Sequence, residues 1–251
     1  MTVDPATTRA MALNWAAFNS SCVRALGVAA FQTASLWWRE PGGSPNYLAA
    51  LLLDPDAPAP AISDALAPVH EAWKDSPIQL YDFWARRDLK ELGYTHIFQN
   101  PWYVRWAAPI GPCELPEGLS IEVVKTADQL AEFERASHIG FSDSEADLPP
   151  CFTQNGEATL DDPGMFYLNA RLGGEVVAGT IGYVAENMLS IYAISVLPAF
   201  RRRGYGTLLV HAAVALRPDL PVSVFPDPPS VPMYTPWGFS RADEIACWLR
   251  V

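Results

Sequence analysis

Charge, cysteine and long apolar runs are all scarce in this chain. Only 18% of its 251 residues are charged, and its four cysteines stand far apart, without a C-x-x-C pair or a Cys/His cluster. This spacing indicates neither a zinc site nor a disulfide framework, so we expect reduced thiols and no metal. The longest clean apolar run, Tyr47–Leu53, is far short of the roughly 20 residues that span a bilayer.

The first apolar segment has the pattern of an amphipathic helix. Its apolar residues Trp15, Phe18, Cys22 and Leu26 are separated by polar ones, and no basic region precedes them. A secretion signal would look different, so we expect a cytoplasmic protein. The formal net charge of −11 argues against nucleic acid and anionic membrane surfaces as partners.

A proline-rich segment divides the chain. Residues 109–118, PIGPCELPEG, hold three prolines and two glycines among few apolar residues, which is typical of a linker. A hydrophobic content of 50% supplies cores for two small domains. We therefore predict one domain over residues 1–110 and a second over residues 119–251.

The most informative stretch of the second domain is Ile191–Leu209. An apolar strand, Ile191–Val196, leads through a turn at Pro198 into Arg-Arg-Arg-Gly-Tyr-Gly, and a helix follows. A helix start has unpaired amides, and glycines there let a ligand approach closely. The pattern predicts a socket for phosphate or pyrophosphate. Neither a Walker loop nor a Rossmann G-x-G-x-x-G is present. The alternative to a phosphate socket is a strand–turn–helix whose arginines are simply solvated.

The elements around this loop indicate an α/β fold. Apolar alternation predicts strands at Met165–Arg171, Glu175–Val184 and Leu189–Val196, joined at Gly173-Gly174 and Glu186-Asn187. A strand and a helix precede this meander, over Leu119–Lys125 and from Thr126, and further strands follow near residues 222–225 and 244–250. The order predicts a mixed, mostly antiparallel sheet flanked by helices.

Two motifs in this order resemble the GNAT N-acetyltransferase superfamily. The first is R-x-x-G-x-G at Arg201–Gly206, between a strand and a helix. The second is Tyr234-x-x-x-Gly238-Phe239, with Pro232 before it. The resemblance covers nearly all of residues 119–251 and implies the GNAT fold and acetyl-CoA, or another acyl-CoA, as co-substrate.

The first half resembles a shortened, degenerate copy of the same fold, as in tandem GNAT proteins of actinobacterial type. Shifting the chain by about 145 residues lays Gly93 on Gly238 and Arg105 on Arg250. No R-x-x-G-x-G occurs before residue 110, and Leu89 stands where the equivalent of Tyr234 would be. We therefore expect a structural role for the first half, unless the repeat is a chance match.

The resemblance also implies the residues that would bind CoA. Backbone groups of the strand before the loop, at Ile194, Ser195 and Val196, would hydrogen-bond the pantetheine amides. The pyrophosphate would be held by the loop and helix start, namely Arg201, Arg202, Arg203, Gly204, Tyr205, Gly206 and Thr207.

The implied chemistry is direct attack of an acceptor amine on the thioester. An amine with a pKa near 10.4 is rarely neutral at pH 7, so the attack needs a proton acceptor. Tyr192 stands where some family members have a catalytic glutamate, but a phenol is a poor base. A water chain ending at Glu186, Asp227 or His138 is the alternative. Tyr234 matches the family hydroxyl that protonates the departing thiolate.

The acceptor is expected to be a small-molecule or peptide amine. No Lys or Arg occurs between Arg135 and Arg171, and this stretch follows the first helix, where family members shape the acceptor pocket. Carboxylates there would attract a cationic amine; otherwise they are solvated surface. They are Asp143, Glu145, Asp147, Glu157, Asp161 and Asp162.

A second class of function fits the same features. The missing strand carboxylate and the degenerate first half also allow a non-catalytic module that binds or senses acyl-CoA. Tyr234 favours the enzyme, because a sensor needs no proton donor beside the sulfur.

Overall fold

Apolar strands and amphipathic helices alternate along the chain. The computed structural model describes residues 3–44, 47–144 and 153–251. The helices are α1 (Pro5–Ala25), α2 (Ala59–Ala72), α3 (Ala127–Ser142) and α4 (Tyr205–Leu216). The strands are β1 (Ala30–Gln32), β2 (Leu36–Arg39), β3 (Ala50–Leu52), β4 (Ile78–Asp82), β5 (Thr95–Arg105), β6 (Leu119–Val123), β7 (Met165–Leu172), β8 (Glu175–Ala185), β9 (Met188–Val196), β10 (Val222–Val224) and β11 (Ser240–Arg250).

The described chain forms two compact units. The first comprises residues 1–102 and 241–251, and the second comprises residues 103–240. Strand β11 therefore belongs to the first unit from Arg241 onward, although it is last in the sequence. The division into domains at 1–110 and 119–251 stays a prediction.

The second unit contains the predicted meander. Strands β6, β7, β8 and β9 pair antiparallel in sequence order, β10 pairs parallel with β9, and the end of β5 pairs antiparallel with β10. Both turns predicted in the meander have positive φ at their two central residues, Gly173-Gly174 and Glu186-Asn187. The predicted α/β fold with a mixed, mostly antiparallel sheet is confirmed.

Helices cover both faces of this sheet. Leu209, Val210, Ala213 and Val214 of α4 are buried in a core with strand residues such as Ile191. On the other face, Phe133 of α3 packs so closely that a Cβ at Gly179 would lie 2.7 Å from its ring. Glycine is therefore required in β8 beneath α3.

The first unit repeats part of this topology. β1–β2 and β2–β3 are antiparallel, β3–β4 is parallel, and β4–β11 is antiparallel, the same sequence of pairings as in β7–β8–β9–β10–β5. Gly93 and Gly238 follow equivalent 3-10 turns with φ of 84° and 83°. Within the first unit Arg250 lies beside Gly93, and within the second Arg105 donates to the carbonyl of Trp237.

The core of the first unit includes residues of β11. Ala246 and Trp248 are buried with Leu80, Val69 and their neighbours, and Trp248 is only 4% exposed. The unit therefore depends on the last strand of the chain for part of its core.

We predict that Trp248→Ala lowers the free energy of unfolding by about 3–5 kcal/mol, because it removes a large buried side chain. Trp106→Ala is the matched control, since Trp106 is 48% exposed. Urea denaturation of both variants measures the difference. Equal midpoints would show that β11 does not contribute to this core.

Candidate active site

Strands β9 and β10 diverge at the centre of the second unit. Their parallel pairing covers only Leu189–Ile191 of β9, and β9 continues to Val196. Five residues of β9 thus extend past its last described pair with β10. The described pairing with β10 does not extend to Ala193–Val196, and the backbone amides of a buried strand need hydrogen-bond partners.

A bulge in β9 accompanies this divergence. Ile181 pairs with Tyr192 and Gly179 with Ser195, so Thr180 of β8 faces two residues, Ala193 and Ile194. Ala193 has a φ of 50°, which is strained for alanine, and the Thr180 hydroxyl donates to the Tyr192 carbonyl at 2.9 Å. Bulges re-aim backbone groups and often accompany active sites.

The loop before α4 gathers backbone amides. Arg202 and Gly204 both have positive φ, 64° and 83°, and Gly204 caps the start of α4 without a side-chain hydrogen bond. Alternating backbone handedness brings successive N–H groups into a concavity that binds anions. The predicted socket therefore has the backbone shape that phosphate requires.

The three arginines of this loop have different surroundings. Arg202 is exposed, and Arg203 donates to the carbonyl of Ala199 and stacks over the ring of Phe200. Arg201 turns instead toward the end of α3, where it contacts Gly140 and Asp143. Whether Arg201 also binds phosphate, as the sequence predicts, stays a prediction.

Tyr234 lies in the same core as the start of α4. It follows a 3-10 helix, Pro228–Met233, is 6% exposed and packs edge-on against Phe239. Burial raises the pKa of its hydroxyl, and the negative charge of Asp227 raises it further. The hydroxyl therefore keeps its proton at neutral pH.

Contacts with α4 fix the position of the Tyr234 segment. The Trp237 indole donates to the carbonyl of Thr207 at 2.9 Å, and its ring packs against His211. The sulfur of Met233 occupies the space that a Cβ at Gly206 would need. Gly206 thus lets Met233, the neighbour of Tyr234, pack directly on the helix start.

The structure separates the three candidate proton acceptors. Glu186 lies in the turn before β9, roughly 20 Å along the strand from the bulge at 3.3 Å per residue. Asp227 follows β10, which runs parallel to β9, so it lies at the same end as Val196. His138 is on α3, two residues before Gly140. Of the three, Asp227 lies close enough to Tyr234 for its charge to raise the pKa of that hydroxyl.

The acidic stretch is only partly available for attracting a cation. Asp143 is paired with Arg201, and Asp162 accepts hydrogen bonds from the Gly164 amide and the Tyr183 hydroxyl. Glu157 and Asp161 are exposed. Glu145 and Asp147 lie outside the described residues.

The sequence did not indicate one carboxylate that the structure buries. Glu134 of α3 is 3% exposed and accepts hydrogen bonds from the Gln154 amide at 2.9 Å and from the Asn155 amide and side chain. Burial raises its pKa, and these hydrogen bonds lower it again. Its burial depends on partners about twenty residues farther along the chain, which the periodicity of the helix does not reveal.

The described residues form neither a membrane-spanning helix nor a cluster of metal ligands. None of the described helices is long and apolar enough to cross a membrane. Within residues 3–44, 47–144 and 153–251, no group of three or more His, Cys, Asp or Glu side chains is placed to hold a metal ion.

Residues 188–216 thus combine a strand that extends past its parallel neighbour, a bulge in that strand and a helix that begins after a glycine. Residues 127–239 match the model of the acetyltransferase (GNAT) family. The chain therefore carries a GNAT acetyltransferase domain, and the predicted family resemblance is confirmed. Comparison with curated proteins found no match.

Solved structures share this fold along nearly the whole chain. A GCN5-related N-acetyltransferase from Kribbella flavida matches with a TM-score of 0.65 and 17% identity, covering 94% of this chain and 95% of its own. One from Sphaerobacter thermophilus matches with a TM-score of 0.58 and 14% identity, covering 99% and 94%. At these identities the likeness concerns the fold, and it includes the N-terminal residues.

We predict that Gly206 and Met233 are energetically coupled. A methyl group at Gly206 would collide with the Met233 sulfur, and such overpacking costs about 1–3 kcal/mol. Shortening Met233 removes the collision, so a double-mutant cycle of Gly206→Ala and Met233→Ala should give a coupling energy of about 1 kcal/mol. Urea denaturation measures it. Strictly additive effects would contradict the contact.

Proposed function

We propose that the second unit is an N-acyltransferase that moves an acetyl group from acetyl-CoA to the primary amine of a small molecule or peptide. The divergence of β9 from β10, beside the loop and start of α4, is the observation that carries this proposal. The acceptor amine attacks the thioester of acetyl-CoA directly while both substrates are bound.

The chain offers matching groups along the length of CoA. Backbone groups of Ile194, Ser195 and Val196 lie in the extension of β9, where pantetheine amides would find partners. The pyrophosphate would lie on the amides of Gly204, Tyr205, Gly206 and Thr207. Arg202 and Arg203 add positive charge beside these amides, which strengthens hydrogen bonds to phosphate.

Tyr234 is the proposed proton donor. Acetyl-CoA supplies an activated thioester, and its sulfur leaves with negative charge that a hydroxyl donor stabilises. The raised pKa of Tyr234 keeps this donor protonated. Tyr192, at the start of the bulge, borders the same backbone, where its ring would help to position the acceptor.

Asp227 is the proposed end point for the proton released by the amine. It is exposed, lies at the substrate end of β9 and β10, and accepts a hydrogen bond from the Ser230 hydroxyl. A carboxylate in solvent contact accepts a proton through one or more waters. The acceptor itself would be cationic, attracted by the exposed Glu157 and Asp161.

The first unit is proposed to be a degenerate GNAT-like half with a structural role. Its strand β3 ends at Leu52, the same residue that forms its last pair with β4. The 145-residue shift replaces Arg201, Arg202 and Arg203 by Asp56, Ala57 and Pro58. Pro60 at the start of α2 removes an amide donor. Among the described residues of this unit, β3 does not extend past its last pair with β4, and the 145-residue shift finds no basic loop.

Incubation with acetyl-CoA and a panel of primary amines tests the function. Release of free thiol that depends on the amine is expected, and mass spectrometry should find the acetylated amine. Binding of acetyl-CoA without thiol release would favour the alternative, a module that binds or senses acyl-CoA.

Replacement of Tyr234 by Phe should lower turnover by about 10²–10⁴-fold, the usual contribution of a general acid. Acetyl-CoA affinity should hardly change, because the ring still fills the core. Tyr103→Phe is the control, since Tyr103 packs against the same core but lies on β5. Because the pKa of Tyr234 is raised above its ordinary value, wild-type turnover should not fall between pH 8 and 10 through loss of this proton. Full turnover in the Phe variant would exclude Tyr234 from the reaction.

The double variant Arg202→Ala/Arg203→Ala should weaken acetyl-CoA binding by at least about tenfold, since hydrogen bonds to charged groups contribute about 1.5–3 kcal/mol each. The loss should be largest at low salt, where charges are screened least. Arg217→Ala is the control, because this arginine lies at the opposite end of α4 and pairs with Asp219. Calorimetric titration at two salt concentrations measures the acetyl-CoA affinity of the double variant and of the control. Unchanged affinity would place the phosphates elsewhere.

A further inference from the structure

The side chain of Arg201 bridges two elements of the second unit. Its Nη2 donates to the Gly140 carbonyl at 2.8 Å and contacts Asp143 Oδ1 at 2.5 Å, and its Nε donates to the Val196 carbonyl at 3.2 Å. Gly140 and Asp143 lie at the end of α3, whereas Val196 ends β9. One guanidinium therefore connects the end of this helix to the end of the diverging strand.

The end of α3 needs such a cation. Helix carbonyls in the last turn lack partners within the helix, and the C-terminus carries partial negative charge. No basic residue lies in the last turn of α3, and its C-cap residue is Asp143, whose carboxylate adds further negative charge. Arg201 compensates the negative charge of the helix end and of the carboxylate, because its guanidinium donates to the Gly140 carbonyl and to Asp143 together.

The bridge lies beside a close contact between α3 and β9. A Cβ at Gly140 would lie 2.9 Å from the Ser195 Cβ and 3.2 Å from the Val196 amide nitrogen. Glycine is therefore needed for the helix backbone to rest on the strand. The same residues, Ser195 and Val196, belong to the part of β9 proposed to hold pantetheine.

These contacts leave Arg201 poorly placed for phosphate. Its guanidinium already donates to three acceptors, two of them at the end of α3 and one on β9, and one of these is the carboxylate of Asp143. The positive charge available to the socket then comes from Arg202 and Arg203, together with the amides of α4.

We propose that Arg201 is a positioning residue rather than a phosphate ligand: with Asp143 it holds the end of α3 on the end of β9. It thereby sets the acceptor side of the site, which α3 flanks, relative to the strand that carries the acyl donor. This inference rests on the proposed transferase function.

Amide hydrogen exchange in the last turn of α3 tests the bridge without any turnover. Arg201→Ala and Asp143→Asn should each speed exchange there by about two- to fivefold, the range expected for an exposed ion pair. Asn keeps the left-handed backbone of position 143, where φ is 58°, and removes only the charge. The double variant should exchange no faster than Arg201→Ala alone, because Arg201→Ala already removes the contact with Asp143. Arg201→Lys should give an intermediate exchange rate, because a single ammonium group replaces the forked guanidinium.

Substrate binding gives the second readout. Arg201→Ala and Asp143→Asn should both raise the acceptor KM severalfold, while the Kd for acetyl-CoA changes by less than about threefold. Arg203→Ala is the contrasting variant, with weakened acetyl-CoA binding and unchanged exchange in α3. If Arg201→Ala weakens acetyl-CoA binding tenfold or more and Asp143→Asn leaves exchange unchanged, Arg201 is a phosphate ligand and the proposal is overturned. If the wild type releases no thiol with any amine, the transferase function fails, and the exchange measurements still decide whether the bridge exists.

Discussion

The separation of β9 from β10 after Ile191 is the constraint on which the rest of the site depends. Two parallel strands that stayed paired would satisfy each other and leave no backbone groups for a ligand. The bulge at Ala193 and Ile194, with its strained alanine, turns the strand away, and the stability of the surrounding sheet offsets that strain. The loop and the start of α4 follow β9 directly in the chain, and Tyr234 shares a core with the start of α4.

The first unit shows what happens when this divergence is missing. It has the same order of strand pairings, and α2 stands where α4 stands in the second unit. Yet β3 ends where its pairing with β4 ends, and Leu89 is buried where the repeat would place a tyrosine. Trp248 of β11 is part of the core of this unit. Similar topology therefore does not reproduce the strand extension and the basic loop of the second unit, where we propose that acyl-CoA binds.

Local patterns in the sequence were sufficient for most of the elements and for the loop. The alternation in β7, β8 and β9 gave their bounds to within a residue or two, because each strand has its own periodic signal. The sequence could not indicate the bulge at Ala193, which depends on register with β8, or the partner of Arg201, which lies on α3. It also did not indicate that β11 belongs to the first unit. Each of these is a tertiary feature, determined by residues far away in the chain.

The burial of Tyr234 also limits how this residue can act. General acids are most efficient when their pKa lies near the working pH, and burial together with the charge of Asp227 moves the pKa of Tyr234 in the opposite direction. We propose that a phenol holding its proton so firmly acts mainly by donating a hydrogen bond to the sulfur as negative charge develops there, and that solvent completes the proton transfer to the thiolate. In the same proposal Asp227 has two effects, since its negative charge keeps the neighbouring hydroxyl in its donating form until the carboxylate receives the amine proton.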